Sequence, residues 1–211
     1  MTSSTVPVRT RKRPEERREE ILTHAAAIAL EEGLERVTLR AVAERLAVRP
    51  GLITHYFPAA EDLVVAAFAR AAILEREQFF PAGGDPVARL AHFVGYVENG
   101  ASFSLGRLWL NARHLSRFSP SLGTILEEQD SLDRARLTEL IDDGISAGDF
   151  GDVDSEAACI RIFLAVDGGG SYVNSRVAHE HPAHKHFLAD VTEWTLRLKP
   201  GTLRAMSVLD S

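Results

Sequence analysis

Cysteine is nearly missing from the 211-residue chain: Cys159 stands alone. A lone thiol cannot close an internal disulfide, and it excludes any zinc site built on several cysteines, which fits a reducing compartment. Its setting in the apolar run AACIRIFLAV predicts a buried structural thiol. Long hydrophobic runs are missing too. No window approaches the roughly 20 uninterrupted apolar residues of a membrane span, and the arginine-rich start lacks the apolar centre of a signal peptide, so the expected location is the cytoplasm with no membrane partner. Strand patterns are absent: valine and isoleucine recur at helical spacing, and glycine and proline cluster between segments instead of at the short regular intervals of sheet turns. There is no phosphate-cradling glycine loop, because DGGGSY at 167–172 follows a helix-like run and has neither the lysine nor the spacing. Ser102, Ser104, Ser116 and Ser119 carry no nucleophile elbow around them. No cofactor and no catalytic residues are expected, and a helical enzyme is a distant alternative.

What is present is charge, unevenly spread. The formal net charge is −6, yet residues 1–60 hold ten Lys/Arg against eight Asp/Glu, a net +2, leaving −8 for the rest. A polyanion binder need be basic only where it touches the polyanion, so global acidity does not exclude nucleic acid.

The periodicity describes an all-α chain with an N-terminal three-helix domain and a larger helical domain behind it. Residues 1–13, MTSSTVPVRTRKR, carry Arg9, Arg11, Lys12 and Arg13 and little that could pack, which predicts a disordered basic arm. A first short helix opens at Pro14 with Glu15 and Glu16 at the positive end of its dipole; Ile21, Leu22, Ala25, Ile28 and Ala29 form its apolar stripe, and Gly33 stops it. Thr38 is a natural N-cap for a second short helix, and a third follows Pro50. This domain is expected over 14–60. Longer helices are expected from about Glu61 to Phe80 and near 86–98, 103–117, 121–147, 154–177 and 183–199, forming a domain over 61–200, with 201–211 a tail. The glycine run Gly168, Gly169, Gly170 is expected to permit close helix packing or a kink.

The stretch LRAVAERLAVRPGLITHYF, 39–57, breaks one short helix and restarts another at once. If Val42, Leu46, Val48, Ile53 and Tyr56 share an interior with Ile21, Leu22 and Ile28, the helices must cross steeply, which makes a helix-turn-helix. The small Ala43 allows close approach. Pro50 presets the first turn of the restarted helix, and Gly51 lets a phosphate or base edge come near the main chain. In GLERVTLRAVAERLAVRPGLITHYFPAAEDL, the residues Thr38, Ala43, Val48, Gly51, Tyr56, Phe57 and Leu63, and above all HYF followed by EDL, give a pattern that resembles the TetR (tetracycline-repressor-like) family of transcription regulators over roughly 15–68. Three positions depart from the family pattern: Ala47 where glycine is usual, Ala59 and Ala60 where Ser-Lys is common, and Arg49 in place of a serine.

The candidate DNA-binding residues are Thr38, Arg40, Arg49, Pro50, Gly51, Thr54, His55 and Tyr56. Arg49 leads the third helix and could reach a guanine edge bidentately, or be a solvated surface arginine. Thr54 and His55 could touch bases or phosphates; Tyr56 combines a packed ring with a surface hydroxyl; Thr38 could cap its helix and offer its hydroxyl to a phosphate, with Arg40 beside it. The arm could follow the backbone, enter a minor groove or do neither.

In the second domain Ile160, Phe163, Leu164, Val166, Phe187, Val191, Trp194 and Leu198 could supply a shared apolar surface through the last two helices or fill the domain's own core. A homodimer would match a palindromic operator in double-stranded DNA. Phe93, Tyr96, Phe103, Trp109, His114 and Phe163 are candidates for an effector pocket, among Asn111 and Phe118, though an ordinary core has the same texture. The family resemblance implies an unknown small-molecule effector that displaces the fourth helix and releases a repressor from its operator; a constitutive dimeric DNA binder without a ligand is the alternative. In HEHPAHKH, His179, His181, His184 and His186 could suggest a metal, but Pro182 divides them, and a solvated loop is the default.

Overall fold

Among the residues described, 13–175 and 181–207, every regular element of the computed structural model is helical. Arg9, Arg11 and Lys12 of the expected arm, and His179, lie outside the described residues. The first helix, α1 (Pro14–Glu32), is not short: it runs 19 residues, opened by Pro14 at its first turn and ended by Gly33 at φ 104°. It buries Ile21, Leu22, Ala25, Ala26, Ile28 and Ala29. These positions recur at the helical period and form one apolar stripe. A short tight turn of helix, Leu34–Arg36, leads to α2 (Leu39–Arg45), whose N-terminus Thr38 caps by accepting from the Ala41 N–H at 3.0 Å. After a turn comes α3 (Pro50–Tyr56).

Ala47 lies in that turn at φ 51°. The left-handed conformation crowds a Cβ and costs an L-residue roughly 1–2 kcal/mol, more than glycine loses through its freer unfolded chain. Ala47→Gly is therefore expected to raise the unfolding free energy by about 0.5–1 kcal/mol, seen as a higher urea midpoint at unchanged slope.

The fourth helix, α4 (Ala60–Phe79), packs along α1 and buries Leu63, Ala67, Phe68, Ala71, Ala72 and Phe79. Alanines on both facing stripes let the two backbones approach closely. Its N-cap position is Ala59, with no side-chain cap. There follow α5 (Pro86–Glu98), α6 (Phe103–Leu115), α7 (Pro120–Ala147) and α8 (Ser155–Gly170). Side-chain caps start three of these helices' neighbourhoods in the way their sequences suggest: Asp85 accepts from Ala88, Ser119 from Leu122 and Asp154 from Ala157. Gly144 is required by packing, since a Cβ there would stand 2.2 Å from the Phe150 ring. Cys159 is buried on α8, and burial pushes its thiol pKa up.

The C-terminal segments differ from expectation. The helix expected over 154–177 ends at Gly170, because three consecutive glycines each weaken a helix by about 1 kcal/mol relative to alanine. Nor does the glycine run serve close packing: a Cβ at Gly168, Gly169 or Gly170 would meet nothing within 4 Å. The helix expected over 183–199 is broken at His186 into α9 (Pro182–Lys185) and α10 (Phe187–Thr195). The expected tail begins instead with α11 (Thr202–Ser207), whose Leu203 is buried. The buried Glu193 carboxylate holds this last turn in place, accepting from the Gly201 N–H at 2.7 Å and the Leu203 N–H at 2.8 Å. Helix α8 lies between α7 and α10, and α11 covers α5. No helix among the described residues is long and apolar enough to cross a membrane.

Candidate nucleic-acid interface and the adjoining cavity

The break between α2 and α3 is built from main-chain bonds. Leu46 N–H donates to the Val42 carbonyl, Ala47 N–H to Glu44, and Val48 N–H to Ala43 at 2.9 Å, so the chain reverses within four residues. Val42, Ala43 and Ile53 are buried at the crossing, with Leu46, Val48 and Tyr56 packed against them. This fixes α3 with its other face outward, and Arg49, Pro50, Gly51, Thr54 and His55 are all exposed. Gly51 is not required by the protein's own packing: a Cβ there would meet nothing within 4 Å. Leaving that space empty permits an outside body to approach the main chain at the start of the helix.

The individual side chains are placed as follows. Arg49 sits at the N-cap of α3, exposed and without an ion-pair partner among the described residues. The exposed Thr54 donates its hydroxyl back to the Pro50 carbonyl at 3.2 Å, and its oxygen can still accept. The His55 and Tyr56 rings meet edge to face at 5.3 Å, and Tyr56 is half-buried. Phe57 is buried beneath the Arg18 guanidinium, 5.1 Å from the ring centre. Thr38 is exposed while capping α2. Arg40 is also exposed but paired with Glu44 at 2.7 Å, and that hydrogen bond raises its pKa. A phosphate contact by Arg40 requires exchange of Glu44, whereas Arg49 needs no such exchange.

Behind the three N-terminal helices lies a cavity of about 710 Å³ between α5, α6, α8 and the C-terminal segments. Phe103, Trp109 and Phe163 stand in its wall, as do Gly169 and Gly170. Phe93, Tyr96 and His114 do not: Phe93 is fully buried, stacked on Phe80 at 5.3 Å; Tyr96 meets Phe79 edge-on at 5.2 Å; and His114 meets Phe118 at 5.9 Å on the exposed side of α6. The histidines His181, His184 and His186 likewise have separate partners. His181 Nδ1 accepts from the Ala183 N–H, His184 lies edge-on to Tyr172, and His186 stands 3.7 Å from Glu98.

The wall also carries a number of polar and ionisable side chains, several of them engaged with one another or with the main chain. Arg113 grips Asp167 with two bonds, 2.9 and 3.0 Å, joining α6 to α8. Glu98 accepts from the Ala189 N–H at 2.9 Å, and burial raises its pKa. Asp133 on α7 is a buried carboxylate in the wall. Burial pushes its pKa up to about 6 although Arg76 of α4 donates to it at 2.5 Å. Arg76 also donates to the carbonyl and the side chain of Gln129, at 3.1 and 2.9 Å. Glu75 beside it is pushed up to about 8, first by burial and then by the charge of Asp133. The wall thus combines an aromatic and aliphatic part around Phe103, Trp109 and Phe163 with polar groups that could orient a small, largely apolar body.

A steeply crossed helix pair with a bare leading end, joined through α4 and α6 to a helical body holding a cavity, forms a helix-turn-helix module on a helical body. Residues 21–67 match the sequence model of bacterial regulatory proteins, tetR family. The chain is similar to the HTH-type transcriptional repressor KstR of Mycolicibacterium smegmatis, 42% identical over 88 residues, which are 39% of this chain and 42% of that protein. The matched stretch is therefore less than half of the relative's length. The fold as a whole is that of a crystal structure of a TetR-family transcriptional regulator from Rhodococcus sp., with TM-score 0.71 and 19% identity over 86% of this chain and 99% of that one. A transcriptional regulator from Saccharomonospora viridis, solved in complex with choline, aligns with TM-score 0.68 and 19% identity over 85% and 96% of the two chains.

Two working contacts escape a reading of the sequence. The Arg76 bridge joins residues 57 apart, and Asn111 of α6 binds the turn after α1, 77 residues away. Asn111 does stand two residues from Trp109, a spacing that puts it on the opposite face of α6. That phase was the available signal.

Proposed function

We propose that the protein is a cytoplasmic homodimeric repressor, without enzymatic activity, that binds a palindromic operator in double-stranded DNA and is released from it by a small, largely apolar effector. The observation that carries this reading is the outward end of α3, where Arg49, without an ion-pair partner among the described residues, adjoins a Gly51 whose missing side chain serves no internal packing. In this reading Arg49 and Thr54 address base edges in the major groove, while Thr38, Arg40, His55 and Tyr56 with the Gly51 amide beside Pro50 hold phosphates. Dimerisation uses α8 and α10, where Ile160, Leu164, Phe187 and Trp194 remain exposed in the single chain. Two copies related by a twofold axis then present two reading helices to two half-sites.

The effector occupies the cavity bounded by Phe103, Trp109 and Phe163. That a chain of this fold has been solved with choline supports a small-molecule occupant in general. An effector acts only through its preference for the conformation that does not bind DNA, with a coupling of about 1–3 kcal/mol. The test is selection of a duplex from a random pool by the purified protein, followed by a screen of metabolites for compounds that both delay thermal unfolding and weaken retention of that duplex. Recovery of a palindrome and of such a compound supports the proposal. If no sequence is enriched, the DNA reading fails; if every stabilising compound leaves duplex affinity unchanged, release by an effector fails.

A further inference from the structure

Helix α6 has one face on the cavity and the other on the DNA-reading domain. Leu105, Gly106, Trp109, Leu110 and Arg113 contribute to the cavity wall. At about 100° per residue these five span one side of the helix, and Asn111 falls on the opposite side. There its Oδ1 accepts from the Leu34 N–H at 2.8 Å, and its Nδ2 donates to Glu35 Oε1 at 2.6 Å. Both partners belong to the tight turn between α1 and α2, and Leu34 is fully buried. Gly33 leaves the room for this approach, since a Cβ there would stand 3.0 Å from Glu35 Oε2 and 3.7 Å from Asn111 Oδ1. Three residues beyond Glu35 comes Thr38, the cap of α2.

We infer that Asn111 is the positioning contact that carries occupancy of the cavity to the reading helices, an inference that rests on the cavity being the effector site. An occupant that presses on Trp109 and Leu110 displaces α6 as a rod, because a helix moves as a unit more readily than it bends. Asn111 moves with it. The buried Leu34 amide either follows or loses its acceptor, and an unpaired buried N–H is costly, so the turn follows and takes the start of α2 with it. The pair of bonds also fixes the orientation of the contact: an acceptor faces the main-chain amide and a donor faces the carboxylate, which no apolar residue at 111 reproduces.

The test compares four proteins, wild type, Asn111→Ala, Asn111→Asp and Asn111→Asp with Glu35→Gln, on the duplex selected by the wild type. The cavity is filled in two independent ways, by Ala165→Phe in the wall and by saturating 8-anilinonaphthalene-1-sulfonate, whose fluorescence reports its binding. Filling is expected to weaken duplex binding of the wild type about tenfold or more, within the usual range of coupling between two sites. In Asn111→Ala, binding of the duplex to the unfilled protein and binding of the fluorophore are expected to be retained, while the weakening on filling drops below about threefold. Asn111→Asp is expected to uncouple as well, because two carboxylates then face each other; adding Glu35→Gln restores donor to acceptor and with it the response. A purely structural role for Asn111 would alter melting without changing the response to filling. If Asn111→Ala responds as strongly as the wild type, the inference is wrong while the effector reading stands. If the wild type responds to neither form of filling, the effector reading fails and the inference falls with it.

Discussion

Arg76→Met is expected to lower the unfolding free energy by about 3–5 kcal/mol at neutral pH, the usual cost of leaving one member of a buried ion pair without its partner. Methionine keeps the apolar stem of the side chain and removes only the guanidinium. Asp133 and Gln129, both buried, then lose the donor that α4 supplies to α7. The loss has a pH signature. In the wild type Asp133 rises from 3.8 to about 6 and Glu75 from 4.5 to about 8, so between these values the folded chain holds protons that the unfolded chain has released. Stability contributed by such groups is highest at the acid end and falls as pH rises from about 4 to about 8. Arg76 holds the Asp133 pKa down, so its removal moves that carboxyl further up, and the deficit of Arg76→Met is expected to shrink near pH 5, where Asp133 accepts a proton. Urea unfolding at about pH 5 and about pH 8 measures both effects. Glu75→Gln is expected to flatten the wild-type decline. A deficit in Arg76→Met that is equal at the two pH values contradicts the assignment of the cost to an unpaired Asp133 carboxylate.

The second large effect concerns assembly. Trp194 is 74% and Leu164 65% exposed in the single chain, on α10 and α8. Two such side chains facing water leave apolar area that a second copy would bury at about 25 cal/mol per Å². Trp194→Glu combined with Leu164→Glu is expected to yield a folded monomer, since neither side chain fills the monomer's own core. The monomer offers one reading helix in place of two. Losing the second, tethered contact is expected to weaken operator binding by about 10²–10⁴-fold. Light scattering during gel filtration measures the mass, and fluorescence anisotropy with the selected duplex measures the affinity. A double variant that remains dimeric moves the interface elsewhere.

How much of this was legible in the sequence depended on the range of the interaction. The helix α5 over Pro86–Glu98 could be read to the residue because its determinants are local: a capping Asp85, a proline at the first turn and an apolar stripe. The same is true of Thr38, whose capping bond reaches only three residues. Ala47 was legible in a weaker sense. Its departure from the glycine of the family pattern carried a cost only if the turn required positive φ, and φ is 51° there. Local signals misled in the C-terminal part. The glycine run at 168–170 reads as a close-packing device or a kink, but the space around it is empty and the helix ends there instead.

The candidate site divides along the same line. The outward residues of α3 follow from the short-range geometry of a helix pair, so Arg49, Thr54 and His55 could be named in advance. The cavity could not be drawn in the same way. Phe93 and Tyr96 share the aromatic texture of Trp109 and Phe163, but α5 turns them into the ring cluster of Phe79 and Phe80 instead of the open space. Which aromatic faces a void and which faces another ring depends on how helices distant in sequence pack. The Arg76 and Asn111 bridges belong to the same class, since each unites positions that no local pattern connects.

The most direct measurement is the base preference of Arg49→Ala with Thr54→Ala, obtained by repeating duplex selection and by titrating the wild-type site at several salt concentrations. A major-groove role for α3 predicts a relaxed preference at the contacted base pairs and a loss of about 1–3 kcal/mol in affinity for each good base contact removed. The salt dependence should change little, because phosphate contacts through Thr38, Tyr56 and the helix amides remain. An unchanged selected sequence bound with unchanged affinity would contradict the placement of α3 against base edges, and with it the reading of this chain as a sequence-specific repressor.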